Sequence, residues 1–94
     1  MQDLRFDWDA RKSKSNQQKH DVSFEEARSV FYDENAFEYY DFDHSHDEER
    51  FLLLGISARV RLLVVSYTYN ADKGLIRIIS ARRATNSEDK EYRR

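Results

Sequence analysis

The stretch GLIRIISARRAT, residues 74–85, constrains this chain most. An apolar run from Leu75 to Ile79 carries Arg77 in its middle and ends in Ala81-Arg82-Arg83. It stops at a helix-start signal, Thr85-x-x-Glu88. Ile76, Ile78 and Ile79 are β-branched, which favours a strand with at least one buried face. A guanidinium inside such a run must reach water, a carboxylate or a bound anion. Residues 50–57 and 61–69 are also rich in Leu, Val and Ile and read as two preceding strands. Consecutive strands joined by short turns pair antiparallel, so a C-terminal sheet organises the fold.

Upstream, Leu4-Arg5-Phe6-Asp7-Trp8 alternates as a short first strand, and Asp9 follows as an N-cap. Residues 10–20, ARKSKSNQQKH, are helix-compatible but carry a single apolar residue, Ala10. Such a helix gains little from core packing, so either it frays or its face serves a ligand or partner. Lys12, Asn16 and Lys19 or His20 fall on one side of it. Ser23-Phe24-Glu25-Glu26 is a capping box, and Phe24, Ala27 and Phe31 give the next helix, residues 24–32, a core face. Residues 37–42 read as a strand and residues 44–49 as an acidic turn. Residues 58–60 hold a turn of poor chemistry, whereas Asn70-Ala71-Asp72-Lys73-Gly74 is a clear one. A short helix over residues 85–92 closes the chain. The order β-α-α-β-β-β-β-α predicts one α+β domain spanning residues 1–94, an antiparallel sheet with two helices on one face. The other face, if open, exposes an apolar patch.

Charge is strongly segregated although the formal net charge is only −2. Residues 33–49 hold eight Asp/Glu and no Lys/Arg, while residues 73–94 hold seven Lys/Arg against three Asp/Glu. Such asymmetry says more about partners than the total. There is no cysteine, which excludes disulfides, thiolate catalysis and cysteine-ligated zinc. The apolar runs are too short for a membrane span. The N-terminal segment MQDLRFDWD lacks an apolar signal-peptide core, so a cytoplasmic protein is expected. His44-Ser45-His46-Asp47 has no specific metal-ligand spacing and is not read as a metal site.

Three blocks carry a resemblance: Trp8-Asp9-x-x-Lys12-x-x-x-Asn16-x-x-Lys19-His20-x-Val22-x-Phe24; Glu49-Arg50 with Gly55 and Arg61-Leu62-Leu63-Val64-Val65-x-Tyr67-Thr68; and Ile76-Arg77-Ile78-Ile79-Ser80-Ala81-Arg82-x-Ala84-Thr85-x-x-Glu88 with Tyr92. Together they closely resemble the BrnT family of toxins from bacterial type II toxin–antitoxin systems. The resemblance implies a RelE-like fold and a bacterial cytoplasmic endoribonuclease needing no cofactor. It also implies a BrnA-type antitoxin with a ribbon-helix-helix DNA-binding region, held with the toxin in a hetero-oligomer that reaches operator DNA through the antitoxin. Two positions depart from the family pattern: Asp21 stands where glycine is usual, and Tyr69-Asn70 replaces Glu-Arg after Thr68.

Metal-free RNA cleavage needs a base for the 2′-hydroxyl, charge stabilisation at phosphorus and a proton for the leaving oxygen. Arginine suits the second task through its bidentate fork, which makes Arg50, Arg77 and Arg82 candidates. Lys19, His20, Glu88 and Tyr92 are candidates for proton transfer. RNA contacts are expected at Lys12, Asn16, Arg61, Trp8 and Tyr67, although buried aromatics are commoner than stacking ones. Arg77 and Arg82 differ by five positions and point to opposite faces of an ideal strand, so they share a site only if the strand bulges or ends between them. The alternative reading is a non-catalytic module that docks a protein on its open sheet face. Simple nucleic-acid binding is disfavoured because no recognition-helix motif is present.

Overall fold

The computed structural model describes residues 4–94. In chain order these form β1 (Arg5–Asp7), α1 (Ala10–His20), α2 (Phe24–Ser29) continued by a 3-10 turn (Val30–Tyr32), β2 (Phe37–Tyr40), a second 3-10 turn (Phe42–His44), β3 (Phe51–Ile56), β4 (Leu62–Asn70), β5 (Leu75–Arg83) and α3 (Asn86–Tyr92). The five strands make one sheet in the order β1-β5-β4-β3-β2. The predicted antiparallel pairing holds for β2 to β5, but β1 joins the β5 edge in parallel and makes the sheet mixed. A strand so remote in sequence is free of the hairpin constraint that dictates antiparallel neighbours.

Alternation along β3, β4 and β5 divides the sheet into two faces. Leu53, Leu63, Val65, Tyr67, Ile76, Ile78 and Ala81 meet Val22, Phe24, Ala27 and Val30 in the core. An aromatic belt crosses the lower part of this face through edge-on or tilted contacts. Ring centroids lie 5.2 Å apart for Phe6–Phe31, 4.9 Å for Phe31–Tyr67, 5.7 Å for Phe51–Tyr67 and 5.7 Å for Tyr40–Phe51. On the opposite face Leu54 and Val64 are buried, so its upper part is not the open apolar patch envisaged. There α3 is held by its Thr85–Glu88 capping box, by a Tyr92–Phe37 ring contact at 6.3 Å and by the Tyr92 hydroxyl donating to Asp33 Oδ2 at 2.6 Å.

Local signals explain most boundaries. Asp9 accepts from the Arg11 N–H at 2.8 Å and starts α1; Ser23 accepts from the Glu26 N–H at 3.1 Å and starts α2. Asp21 takes the left-handed conformation at φ 58°, which glycine favours. Arg61 and Arg83 hold it there: the Asp21 carbonyl accepts from Arg61 Nη2 at 2.8 Å, and its carboxylate accepts from Arg61 Nη1 at 3.4 Å and Arg83 Nη2 at 3.3 Å. The poor turn at residues 58–60 is paid for in strain, since Val60 is β-branched yet sits at φ 60°.

Only one residue of α1 is buried, Asn16. Its Oδ1 accepts from the Ala81 N–H at 3.0 Å, while Nδ2 donates to the Ala81 carbonyl at 2.8 Å and the Val22 carbonyl at 2.9 Å. The amide thus pairs the edge of β5 beyond the end of β1, as a neighbouring strand would. Asn16 was expected to contact RNA; with its amide consumed and its side chain buried, its place is structural. Asn16→Ala leaves three buried backbone groups without partners. It is expected to lower stability by about 3 kcal/mol in urea unfolding; a change below about 0.5 kcal/mol would contradict this role.

Candidate functional site

β5 carries the site through a bulge. Tyr67 pairs with Ile78 and Ser66 with Ser80, so Ile79 has no partner on β4. The extra residue resets the alternation. Arg77 opposite Thr68, Ser80 opposite Ser66 and Arg82 opposite Val64 therefore share the face turned away from α1 and α2. The parity that separated Arg77 from Arg82 on an ideal strand is cancelled, and the bulge predicted as one way out is present.

Each candidate arginine meets a carboxylate. Arg77 Nη1 donates to Asp7 Oδ2 at 2.6 Å, with both side chains about half exposed. Arg82 forks onto Glu88 at 2.8 and 2.9 Å. Arg50, just before β3, lies 4.0 Å from Glu48. The Arg82 fork, aided by the Thr85 N–H, holds Glu88 down to about 2. Glu88 was expected to transfer a proton; a carboxyl ionised at all working pH values instead caps α3 and pairs Arg82. Tyr92, named for the same chemistry, donates to Asp33, which together with burial raises its phenol to about 12. Its work is to anchor α3.

Unpaired polar side chains lie on α1. Lys12, Lys19 and His20 are exposed, and among the described residues none of them makes an ion pair. With Asn16 as their base, they line a shallow groove whose other wall is Ile79 and Ser80 of the bulge. Neither Arg77 nor Arg82 lines this groove; Ser80, which does, shares their face of β5. Ser80 was missed in the sequence. Its signal was a hydroxyl interrupting an isoleucine run two residues before Arg82.

Other expected RNA contacts are committed elsewhere. Arg61 donates through Nε to Glu26 Oε2 at 2.9 Å and through Nη2 to Glu26 Oε1, and Ser57 donates to the same buried carboxylate at 2.7 Å. Arg61 above all, with Ser57, keeps Glu26 ionised below its usual range. Tyr67 is only 4% exposed and donates its hydroxyl to Glu38. Trp8 packs edge-on against Phe24 at 6.1 Å, with the Arg28 guanidinium 5.9 Å above its ring. All three are engaged by internal partners: Arg61 by Glu26, Tyr67 by Glu38, and Trp8 by Phe24 and Arg28. Among the described residues no group of three or more His, Asp or Glu is arranged to hold a metal; His44 instead bonds Asp41 at 2.9 Å.

The family model described as the ribonuclease toxin BrnT of type II toxin–antitoxin systems matches residues 8–88. This chain belongs to that family. The crystal structure of the Brucella abortus ribonuclease toxin BrnT has the same fold, with a TM-score of 0.68 at 19% identity over 89% of this chain and 100% of that one. No curated protein matches the chain. Membership brings an antitoxin partner, and among the described residues no helix is long and apolar enough to cross a membrane.

The Arg82–Glu88 pair makes docking of α3 depend on pH. Because the folded Glu88 carboxyl sits at about 2 against an ordinary 4.5, its contribution is fully present above 4.5 and is lost as pH falls toward 2. After discounting for the partly exposed arginine, about 1 kcal/mol should disappear across that window. Comparing urea midpoints of the parent chain and Glu88→Gln at pH 6 and pH 3 checks this. The gap should narrow at the lower pH, and a constant gap would refute the coupling.

Proposed function

We propose that this BrnT-family chain is an endoribonuclease that cuts RNA without a metal ion and is silenced by its antitoxin. The observation that supports this reading is the convergence of unpaired Lys12, Lys19 and His20 on the Ser80 bulge, beside the face bearing Arg77 and Arg82. A wall of cations attracts phosphate and repels a divalent metal, which needs oxygen ligands, carboxylates above all.

In the proposed reaction the 2′-oxygen attacks the adjacent phosphorus while the bond from phosphorus to the 5′-oxygen breaks. His20 and Lys19 divide the proton work: one takes the 2′-hydroxyl proton and the other protonates the leaving oxygen. Arg82 and Arg77 receive the negative charge that grows on the non-bridging oxygens, exchanging Glu88 and Asp7 for phosphate. Lys12 and Arg50 hold flanking phosphates. The antitoxin is a BrnA-like protein with a ribbon-helix-helix region through which a toxin–antitoxin hetero-oligomer binds operator DNA in the bacterial cytoplasm.

Cleavage of RNA by the purified chain tests the reading. Lys19→Ala and His20→Ala alter exposed side chains and should fold as the parent does by circular dichroism. Each should lose about a hundredfold or more in rate, and EDTA should leave the parent rate unchanged. Intact RNA after incubation with the parent, or full activity in both variants, would end the catalytic claim.

A further inference from the structure

The helix-side face of the sheet carries a second surface, opposite in character to the β5 site. Below the turn Val30–Tyr32, an apolar groove of about 460 Å³ is lined by Phe31, Phe51, Leu53, Tyr67 and Ile76. Tyr69, 53% exposed, stands on its rim. The aromatic belt continues from Phe51 through Tyr40 to Phe42, whose ring lies 4.6 Å from Tyr40 and is 80% exposed. The walls are anionic: Asp33 and Glu38 line the groove and no Lys or Arg does. Asp41 and Asp43 flank Phe42, within the segment of eight acids and no Lys or Arg. β2 forms the sheet edge beside it and, among the described residues, has only β3 as a neighbour.

Exposed aromatic side chains around an apolar slot are the usual anchors of protein recognition. Acidic walls repel RNA, whose phosphates are drawn instead to the α1–β5 groove across the sheet. The partner suited to this surface is therefore a protein segment with apolar anchors flanked by lysine or arginine. We infer that the antitoxin docks here, with its anchors in the Phe31–Leu53–Tyr67 slot and its basic side chains against Glu38 and Asp43. A strand of the antitoxin would meet the free edge of β2. The inference rests on the toxin–antitoxin reading and not on the cleavage mechanism.

Calorimetric titration of the chain with the antitoxin encoded in its own operon tests this. Phe42→Ser with Tyr69→Ser changes two side chains that are more than half exposed, so the fold should stand. The double variant should bind the antitoxin at least about tenfold more weakly, as should Asp43→Lys, while both cut RNA at the parent rate. Unchanged antitoxin affinity would overturn the proposal. So would a loss of RNA cleavage with affinity intact, which would give the groove to RNA. A parent chain that dimerises alone and is rendered monomeric by the double variant would give it to a second copy. The affinity comparison decides the matter even if the parent chain cuts no RNA.

Discussion

The pairing of the Asn16 amide with both backbone groups of Ala81 is the contact on which the rest of the structure depends. α1 has no apolar face, so ordinary helix packing cannot fix it. One buried carboxamide does so by completing the edge of β5 where β1 ends, and by tying in the Val22 carbonyl at the entry to α2. Apart from Ser13, whose Oγ accepts from the Phe24 N–H at 3.4 Å, the exposed side chains of the helix remain turned to solvent. Lys12 and Lys19 stand to either side of Asn16 in sequence, so the bond that holds the helix also sets their place along β5.

The second determinant is the bulge at Ile79. Without it Arg82 would face the helices, in the layer where Ala81 is now buried. With it, Arg77, Ser80 and Arg82 line one side, and the carboxylates of Asp7 and Glu88 pair the two guanidiniums. Such exposed pairs contribute little to stability. The buried Arg61–Glu26 pair is different. It ties the turn after β3 to α2 and the end of α1, and breaking it would strand a buried carboxylate.

Much of this architecture was legible in the residues. The apolar runs after Arg50 marked three strands. Asp9, Ser23 and Thr85 marked three helix starts, and Gly74 marked a turn. The site was only half legible. Lys12, Lys19, His20 and the two β5 arginines stood out as cationic or hydrogen-bonding groups, but spacing cannot tell a free group from a paired one. Arg61 and Arg77 look alike in sequence, and only the buried Glu26 beside one of them separates their fates. Nothing in Ile78-Ile79-Ser80 announces a bulge, because bulges depend on the register of the partner strand. The parallel pairing of β1 and the capture of β5 by Asn16 are long-range events of the same kind.

The outcome is a small domain with two chemically opposed surfaces, a cationic one built on α1 and β5 and an acidic, aromatic one built on β2, β3 and β4. In the proposed function RNA uses the first alone. A nuclear magnetic resonance titration with an RNA oligonucleotide whose 2′-hydroxyls are methylated, and which cannot be cut, tests it most directly. Shifts are expected at Lys12, Lys19, His20, Ser80 and the side chains of Arg50, Arg77 and Arg82, with Phe42 and Tyr69 unmoved. Shifts centred on Phe42 and Tyr69, with α1 silent, would contradict it.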